Sequence, residues 1–337
     1  MTEVAVVILN YNGQKFLKQF LPGVLTYLPD YAKVIVIDNN SSDQSINILK
    51  NDFPEVELII LEENTGFTGG YNNGLQKVQA KYYVLLNSDI EIKSSWIEPI
   101  YELMESDEQI AICQPKILDQ KKNDSFEYAG AAGGYIDYLG YPFCRGRVFQ
   151  ELETDDGQYN DIHDIFWCTG AAMFVRAEVY HELGGLDSDF FAHMEEIDFC
   201  WRTQLSGRKI KYVGQSAVYH VGGGTLPKNN PRKAYLNFRN NLVMLVKNWP
   251  RKWLFTKLFW RLCLDGIAGV KFFVEGDFQQ TKAVIQAHFY IYRNWRSIWR
   301  KRRNNPFPKD ALPETTYSKS IVWQHYVKGK SKFSELD

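Results

Sequence analysis

Tyr82-Tyr83-Val84-Leu85-Leu86 is an unbroken run of strand-favouring or apolar residues that stops abruptly at Asn87-Ser88-Asp89. A half-solvated strand alternates polar and apolar positions, so a continuous run predicts a strand buried on both faces, as in the parallel sheets of α/β proteins. Two similar runs precede it. Val4–Leu9 ends at Asn10-Tyr11-Asn12-Gly13, and Val34–Ile37 ends at Asp38-Asn39-Asn40-Ser41-Ser42-Asp43. Between these two, Phe16, Leu17, Phe20, Leu21, Val24, Leu25 and Leu28 recur at helical spacing. Ser42 is a suitable N-cap for a helix through Ile46 and Leu49, and Val56–Leu61 reads as a further strand. The order β-α-β-α-β begins a doubly wound sheet, whose ligands bind beyond the carboxyl ends of the strands. Asp38 and Asp89 fall at that crevice. Asp89 is therefore a candidate for holding a metal-bound phosphate, although Asn, Ser and Asp are also ordinary turn residues.

Asn64–Gly74 follows, with four glycines, Gly66, Gly69, Gly70 and Gly74, that would let the backbone approach a ligand ahead of a helix through Leu75 and Val78. It is neither a Walker loop nor a GxGxxG fingerprint. Leu9-Asn10-Tyr11-Asn12, Ile37–Asp43, Asn64–Gly74 and Leu86-Asn87-Ser88-Asp89, in this order and spacing, resemble family 2 glycosyltransferases of the GT-A fold, of the bacterial rhamnosyltransferase-like, cell-surface polysaccharide type. The resemblance implies that Leu9, Asn10, Tyr11, Asp38 and Asn40 embrace the base and ribose of a nucleoside-diphosphate sugar. It places Gly66, Gly69, Gly70 and Asn73 beside the diphosphate and sugar. Asn87, Ser88 and Asp89 then form a variant of the Asp-x-Asp metal motif, with Asn87 in place of the first Asp. A divalent cation, Mg²⁺ or Mn²⁺, held by oxygen ligands suits a diphosphate leaving group.

Downstream, Ser94 and Ser95 cap a helix carrying Trp96, Ile97, Ile100, Leu103 and Met104, and Ala111–Leu118 reads as a strand. Residues 119–164 are glycine-rich and irregular, as expected of loops and short strands over the crevice; their aromatics Tyr135, Tyr138, Tyr141 and Phe143 could face an acceptor or simply pack. Phe166–Arg176 looks like a strand entered through a small-residue turn, and the resemblance sets Trp167, Thr169 and Gly170 at the acceptor pocket. In Phe190–Arg202, Ile197, Trp201 and Leu205 share a helical face, which puts Glu195 and Glu196 in the first turn. Acids there complement the helix dipole. They also match the family's Glu-Asp-x-Asp segment, whose second acid, Glu196 here, is the general base. Inverting transfer needs one carboxylate opposite the leaving group and no nucleophile. Lys209–Val213 and Ala217–His220 read as two short strands before Val221–Thr225. A lone histidine is often structural, but His220 stands where the family carries a metal-binding His, so Asp89 and His220 are the expected protein ligands.

Charge divides the chain: residues 1–227 carry 17 Lys and Arg against 33 Asp and Glu, whereas 228–303 carry 17 against 3. The expected organisation is a catalytic domain over 1–227, with a donor half (1–118) and an acceptor half (119–227). A basic amphipathic helical region (228–303) and an extended tail (304–337) follow. Leu254–Val274 is apolar but interrupted by Lys257, Arg261, Asp265 and Lys271, which suits an interfacial helix better than a spanning one. A helical pair packed on the catalytic domain and a nucleic-acid surface are the alternatives; no recognised nucleic-acid fold accompanies the charge. Five scattered cysteines without a CxxC pair, and no export signal after Met1-Thr2-Glu3, lead us to expect the cytoplasm, at the inner face of its membrane. The expected function is metal-assisted, inverting transfer of a sugar to a hydroxyl of a glycan or lipid-linked glycan. The rivals are an inactive, membrane-associated glycan-binding protein and a sugar-nucleotide nucleotidyltransferase. The latter lacks support, because no glycine-rich loop with a following Arg or Lys comes after Leu9.

Overall fold

The computed structural model describes residues 2–222, 230–307 and 309–336. Met1, the glycines and threonine at 223–225, the expected boundary at 227/228, and Pro308 lie outside them.

The first half alternates as anticipated: β1 (Thr2–Asn10), α1 (Gln14–Thr26), β2 (Ala32–Asp38), α2 (Ser45–Asp52), β3 (Glu57–Ile60), α3 (Gly66–Leu75), β4 (Ala80–Asn87) and β5 (Ile90–Glu91). Next come α4 (Glu98–Ser106), β6 (Ile110–Asp119) and the short strands β7 (Gly134–Ile136), β8 (Pro142–Cys144), β9 (Arg147–Val148) and β10 (Glu151–Leu152). The remainder is β11 (Ile162–Asp164), β12 (Ala172–Arg176), α5 (Ala177–Glu182), α6 (Glu195–Leu205), β13 (Lys209–His220), α7 (Pro231–Asn248), α8 (Leu254–Val274), α9 (Phe278–Asn304) and α10 (Ile321–Tyr326).

One mixed sheet runs β11-β13-β6-β12-β4-β1-β2-β3, with β5 paired to β13. Strands β1 to β4 are parallel, while β12 runs antiparallel to both β4 and β6. The continuous apolar runs follow from burial on both faces. Val4, Val6, Ile8, Val84 and Leu86 pack under α1 and α4, and Ala5, Val7, Ile35, Ile37 and Leu85 pack under α3 and α6. Register aligns the strand ends: Leu9 lies opposite Asn87 and Ile37, and Asn10 opposite Asp38. The polar segments that end three strands therefore open on one edge.

The structure departs from the sequence expectation in several places, among them the expected caps: α2 and α4 start from Gln44 and Ile97, not from Ser42 and Ser94-Ser95. Residues 66–75 form a helix in place of the expected loop; a Cβ at Gly74 would sit 2.2 Å from Ile37 Cδ1 and one at Gly70 2.7 Å from Leu9 Cδ1, so these two glycines let α3 lie close on the sheet. The two strands expected over 209–220 are one strand with a bulge between Val213 and Ala217. Helix α7, assigned to a separate basic region, is seated in the core through Leu242, Met244, Leu245 and Val246. The expected extended tail contains α10, whose first N–H, that of Ile321, donates to Asp137 Oδ2 at 2.9 Å. The aromatics of 119–164 pack instead of facing a cleft: Phe143 lies against Tyr317 and Phe333 of the tail, and the Tyr141 hydroxyl donates to Asp265 of α8.

Candidate active site

The strand-end segments form one hydrogen-bonded rim. Asn10 Nδ2 donates to Asp38 Oδ2 at 2.9 Å and to Ser41 Oγ at 3.2 Å, and the Ser41 N–H donates to Asp38 Oδ1 at 2.8 Å. Asn39 Nδ2 reaches the Gly66 carbonyl at 3.0 Å, which ties the end of β2 to the start of α3. Asn10 and Asp38 are fully buried supports, whereas Tyr11 is half exposed on the rim. Asn12 and Asn40 both adopt positive φ, a left-handed turn that Asn tolerates. Leu9 walls the rim from beneath Gly70, Gly69 faces inward onto Thr65, and Asn73 Nδ2 lies 3.5 Å from Thr65 Oγ1.

Asp89 and His220 meet because β5 pairs with the end of β13, setting Ile90 opposite His220. His220 Nε2 lies 3.2 Å from Asp89 Oδ1, and its Nδ1 lies 3.4 Å from Glu127 Oε2. Burial opposes charge on this imidazole, but the carboxylates of Asp89 and Glu127 outweigh it and raise its pKa to about 10. A metal-ligating imidazole is commonly oriented by a carboxylate at its other ring nitrogen, the place that Glu127 takes beside His220 Nδ1. Among the described residues no group of three His, Cys, Asp or Glu side chains could by itself hold a metal ion; Asp89 and His220 offer one carboxylate and one imidazole side by side. Ser88 lies beside Gly13, where a Cβ would be 3.7 Å from Ser88 Oγ.

Glu195 and Glu196 open α6 from a turn in which Phe191, His193 and Met194 all have positive φ. Three such non-glycine residues in four positions are held only by outside contacts. α7 supplies them: Asn240 Nδ2 points at the carbonyls of Phe190, Ala192 and His193 at 3.0, 2.8 and 2.7 Å, and Arg239 donates to those of Asp189 and Phe190. Behind the helix, buried Lys247 bridges Asp187 at 2.6 Å and Asp198 at 2.8 Å. Burial raises Asp187 and Asp198, yet Lys247, joined by Lys301 at the first and Arg202 at the second, holds both below the usual range.

Glu195 is buried and Glu196 half-buried, and each has one Oε2 atom with no hydrogen-bond partner. Burial, then repulsion from Glu196, raises Glu195 well above the ordinary range. Burial also raises Glu196, to about 7, against the pull of backbone N–H groups at the helix start.

The acceptor-side residues divide. Gly170 borders the cleft: a Cβ there would lie 3.3 Å from Phe67 Cζ and 4.0 Å from Glu196 Cβ. Its neighbour Ala171 accepts the Asn87 N–H at 2.9 Å, so Glu196 and the end of β4 flank one short turn. Thr169 caps that turn, its Oγ1 accepting from the Ala171 N–H. Trp167 faces inward, its ring against Gly134 and its Nε1–H donating to the Tyr135 carbonyl. Glu127 and Asn240 were not legible as site residues. Glu127 lies in an irregular stretch, while Asn240-Asn241, two amides mid-helix where propensity disfavours them, was the only available signal.

A family model described as Glycosyl transferase family 2 matches residues 5–184. The low-salt glycan biosynthesis hexosyltransferase Agl10 of Haloferax volcanii is 23% identical over 72% of this chain and 75% of its own. The dTDP-rhamnosyl transferase RfbF of Shigella flexneri is 21% identical over 73% and 81%. The N-acetylglucosaminyl-diphospho-decaprenol L-rhamnosyltransferase of Mycobacterium tuberculosis is 22% identical over 65% and 76%. Among solved structures, the Pyrobaculum calidifontis mannosyltransferase PcManGT, in complex with GDP-Man and Mn²⁺, aligns over 90% of this chain and 85% of its own at 12% identity and a TM-score of 0.52. GalNAc-T7 with UDP, GalNAc and Mn²⁺ aligns over 69% of this chain but only 48% of its own, at 18% identity and a TM-score of 0.53. With its GT-A fold and rhamnosyltransferase relatives, this chain belongs to glycosyl transferase family 2.

Proposed function

We propose that the chain is an inverting glycosyltransferase that moves a hexosyl or deoxyhexosyl group from a nucleoside-diphosphate sugar to a hydroxyl of a glycan or lipid-linked glycan at the inner face of the cytoplasmic membrane. The observation that supports the reading is the approach of His220 to Asp89 at 3.2 Å beyond the end of β4, with Glu196 beside the Gly170-Ala171 turn that accepts the Asn87 N–H. Asn10, Asp38 and Asn40 shape the rim for base and ribose, and Gly66 opens α3 beside the diphosphate. A divalent cation, Mg²⁺ or Mn²⁺, held by Asp89 and His220 would offset the charge of the departing diphosphate. Glu196, poised near neutrality, takes the acceptor hydroxyl proton as that oxygen attacks the anomeric carbon from the face opposite the leaving group, which inverts the configuration. Glu195, more deeply buried, supports Glu196 from behind. Thr169 and Gly170 border the acceptor side, with Trp167 as their packed foundation.

Ligand-dependent melting tests the reading. A nucleotide sugar bound only by the folded state raises Tm, and adding Mn²⁺ should enlarge that rise. No rise with any UDP-, dTDP- or GDP-sugar, with or without the cation, would contradict it.

A further inference from the structure

Helix α8 is inside out. Its central charged residues turn toward the protein, with Lys271 left exposed beside Glu275 near the C-terminal end: Arg261 is 2% exposed and Asp265 fully buried, paired at 3.3 Å, with the Arg261 guanidinium 3.6 Å from the centre of the Tyr141 ring. Lys257 is likewise half-buried over Tyr138. The face toward solvent carries Phe255, Phe259, Trp260, Ile267, Val270 and Val274, the last 79% exposed. The first part of α9 continues it with Phe278, Ile285 and Phe289. A water-facing amphipathic helix has the opposite arrangement, and a contiguous apolar face this size on a folded chain marks an interaction surface.

The edge of this face identifies what covers it. Phe255 stacks toward Trp295 and Trp299, at 6.1 and 6.3 Å between ring centres, and Trp299 in turn lines a cavity of about 370 Å³ with Arg251, Arg302, Arg303 and Lys309. Among the described residues no carboxylate lines that cavity. Arg302 and Lys309 spend donors on backbone carbonyls, which leaves their charge unneutralised. Burial, and then the nearby cation, Arg251 for the first and Arg302 for the second, depresses both pKa values. α9 contains no acid, and its exposed side past Tyr292 carries Arg293, Arg296, Arg300 and Arg303. Apolar and aromatic residues bordered by unopposed cations complement a bilayer interface with anionic headgroups. Among the described residues no helix is long and apolar enough to cross a membrane, so such a face suits contact with an interface, not a span.

We infer that the outer face of α8 and the first half of α9 seats the chain on an anionic phospholipid bilayer, and that the Arg251, Trp299, Arg302, Arg303 and Lys309 cavity takes a lipid phosphate. The seat is coupled to the catalytic turn: Lys301 of α9 forms ion pairs with Asp187 and Asp189, just before the turn that α7 clamps. Its purpose, presenting the cleft to a lipid-linked acceptor, rests on the proposed function; its physics does not.

Flotation of the full chain with phosphatidylcholine vesicles, with and without phosphatidylglycerol, tests the inference without any turnover. Wild type should float with the anionic vesicles and far less with neutral ones or at high salt. Phe259→Ser with Val270→Ser should abolish flotation, and Arg251→Ser or Arg303→Ser should each weaken it about fivefold. All four positions are exposed, so melting and its response to nucleotide sugar should be unchanged. A chain that stays at the bottom with anionic vesicles overturns the inference, as does flotation insensitive to these substitutions. So does a stable dimer that Phe259→Ser with Val270→Ser dissociates, which would give the face to a second copy. Failure here leaves glycosyl transfer to a soluble acceptor intact, and loss of transfer leaves flotation intact.

Discussion

Asn240 holds His193: the side-chain nitrogen of the first lies 2.7 Å from the carbonyl oxygen of the second, and the same amide points at two further carbonyls of the turn before Glu196. A helix outside the family-matched segment thus fixes the backbone that presents the proposed base.

Asn240→Ala should lower kcat about 100-fold through misplacement of Glu196, while donor affinity stays near wild type. Asn240→Asp should fail equally, since an ionised carboxylate cannot donate to those carbonyls. Steady-state kinetics beside donor titration separate the two effects. A loss confined to KM would move Asn240 out of base positioning.

Glu127 backs His220, and Glu127→Gln should weaken Mn²⁺ binding about 10- to 100-fold by releasing the ring from its orientation. Calorimetric titration of Mn²⁺ in the presence of a nucleoside diphosphate reads this directly. An unchanged affinity removes Glu127 from the site.

Glu196 must be ionised to accept a proton, so kcat should rise with pH through about 7 and level off above it. The stability sign is opposite. A carboxylate whose folded pKa is raised imposes no penalty below its unfolded value of 4.5, one that grows from there up to about 7, and a constant one above. Glu196→Gln should therefore melt higher than wild type at pH 8 and equally at pH 4. A flat kcat profile between pH 5.5 and 8.5 would contradict the assignment.

Lys247→Ala leaves the buried carboxylates of Asp187 and Asp198 without their common cation and should cost about 3–5 kcal/mol. Denaturant unfolding measures it. A loss below about 1 kcal/mol would mean that the bridge is solvated in solution.

The sheet was legible because burial on both faces writes itself as unbroken apolar runs, and the strand-end Asn and Asp residues fall where such runs stop. A glycine needed for close helix–sheet approach looks, in sequence, like one needed for ligand approach, and at Gly74 the 2.2 Å between a Cβ and Ile37 shows the first role. The excess of Lys and Arg over 228–303 sets α7 apart from the catalytic body as part of a basic amphipathic region, whereas Lys247 is spent internally on Asp187 and Asp198. Asn240 and Glu127 act through partners far away in the chain, a pairing that no local pattern encodes. The charges of α8 were read correctly as interrupting a spanning helix, but not that Arg261 and Asp265 point inward.

Transfer by Glu196→Gln decides whether Glu196 is the base, because the amide keeps the shape and loses only the proton acceptor. The account predicts a kcat lowered about 10²- to 10⁴-fold, with nucleotide-sugar affinity and fold unchanged. Transfer at the wild-type rate would contradict it.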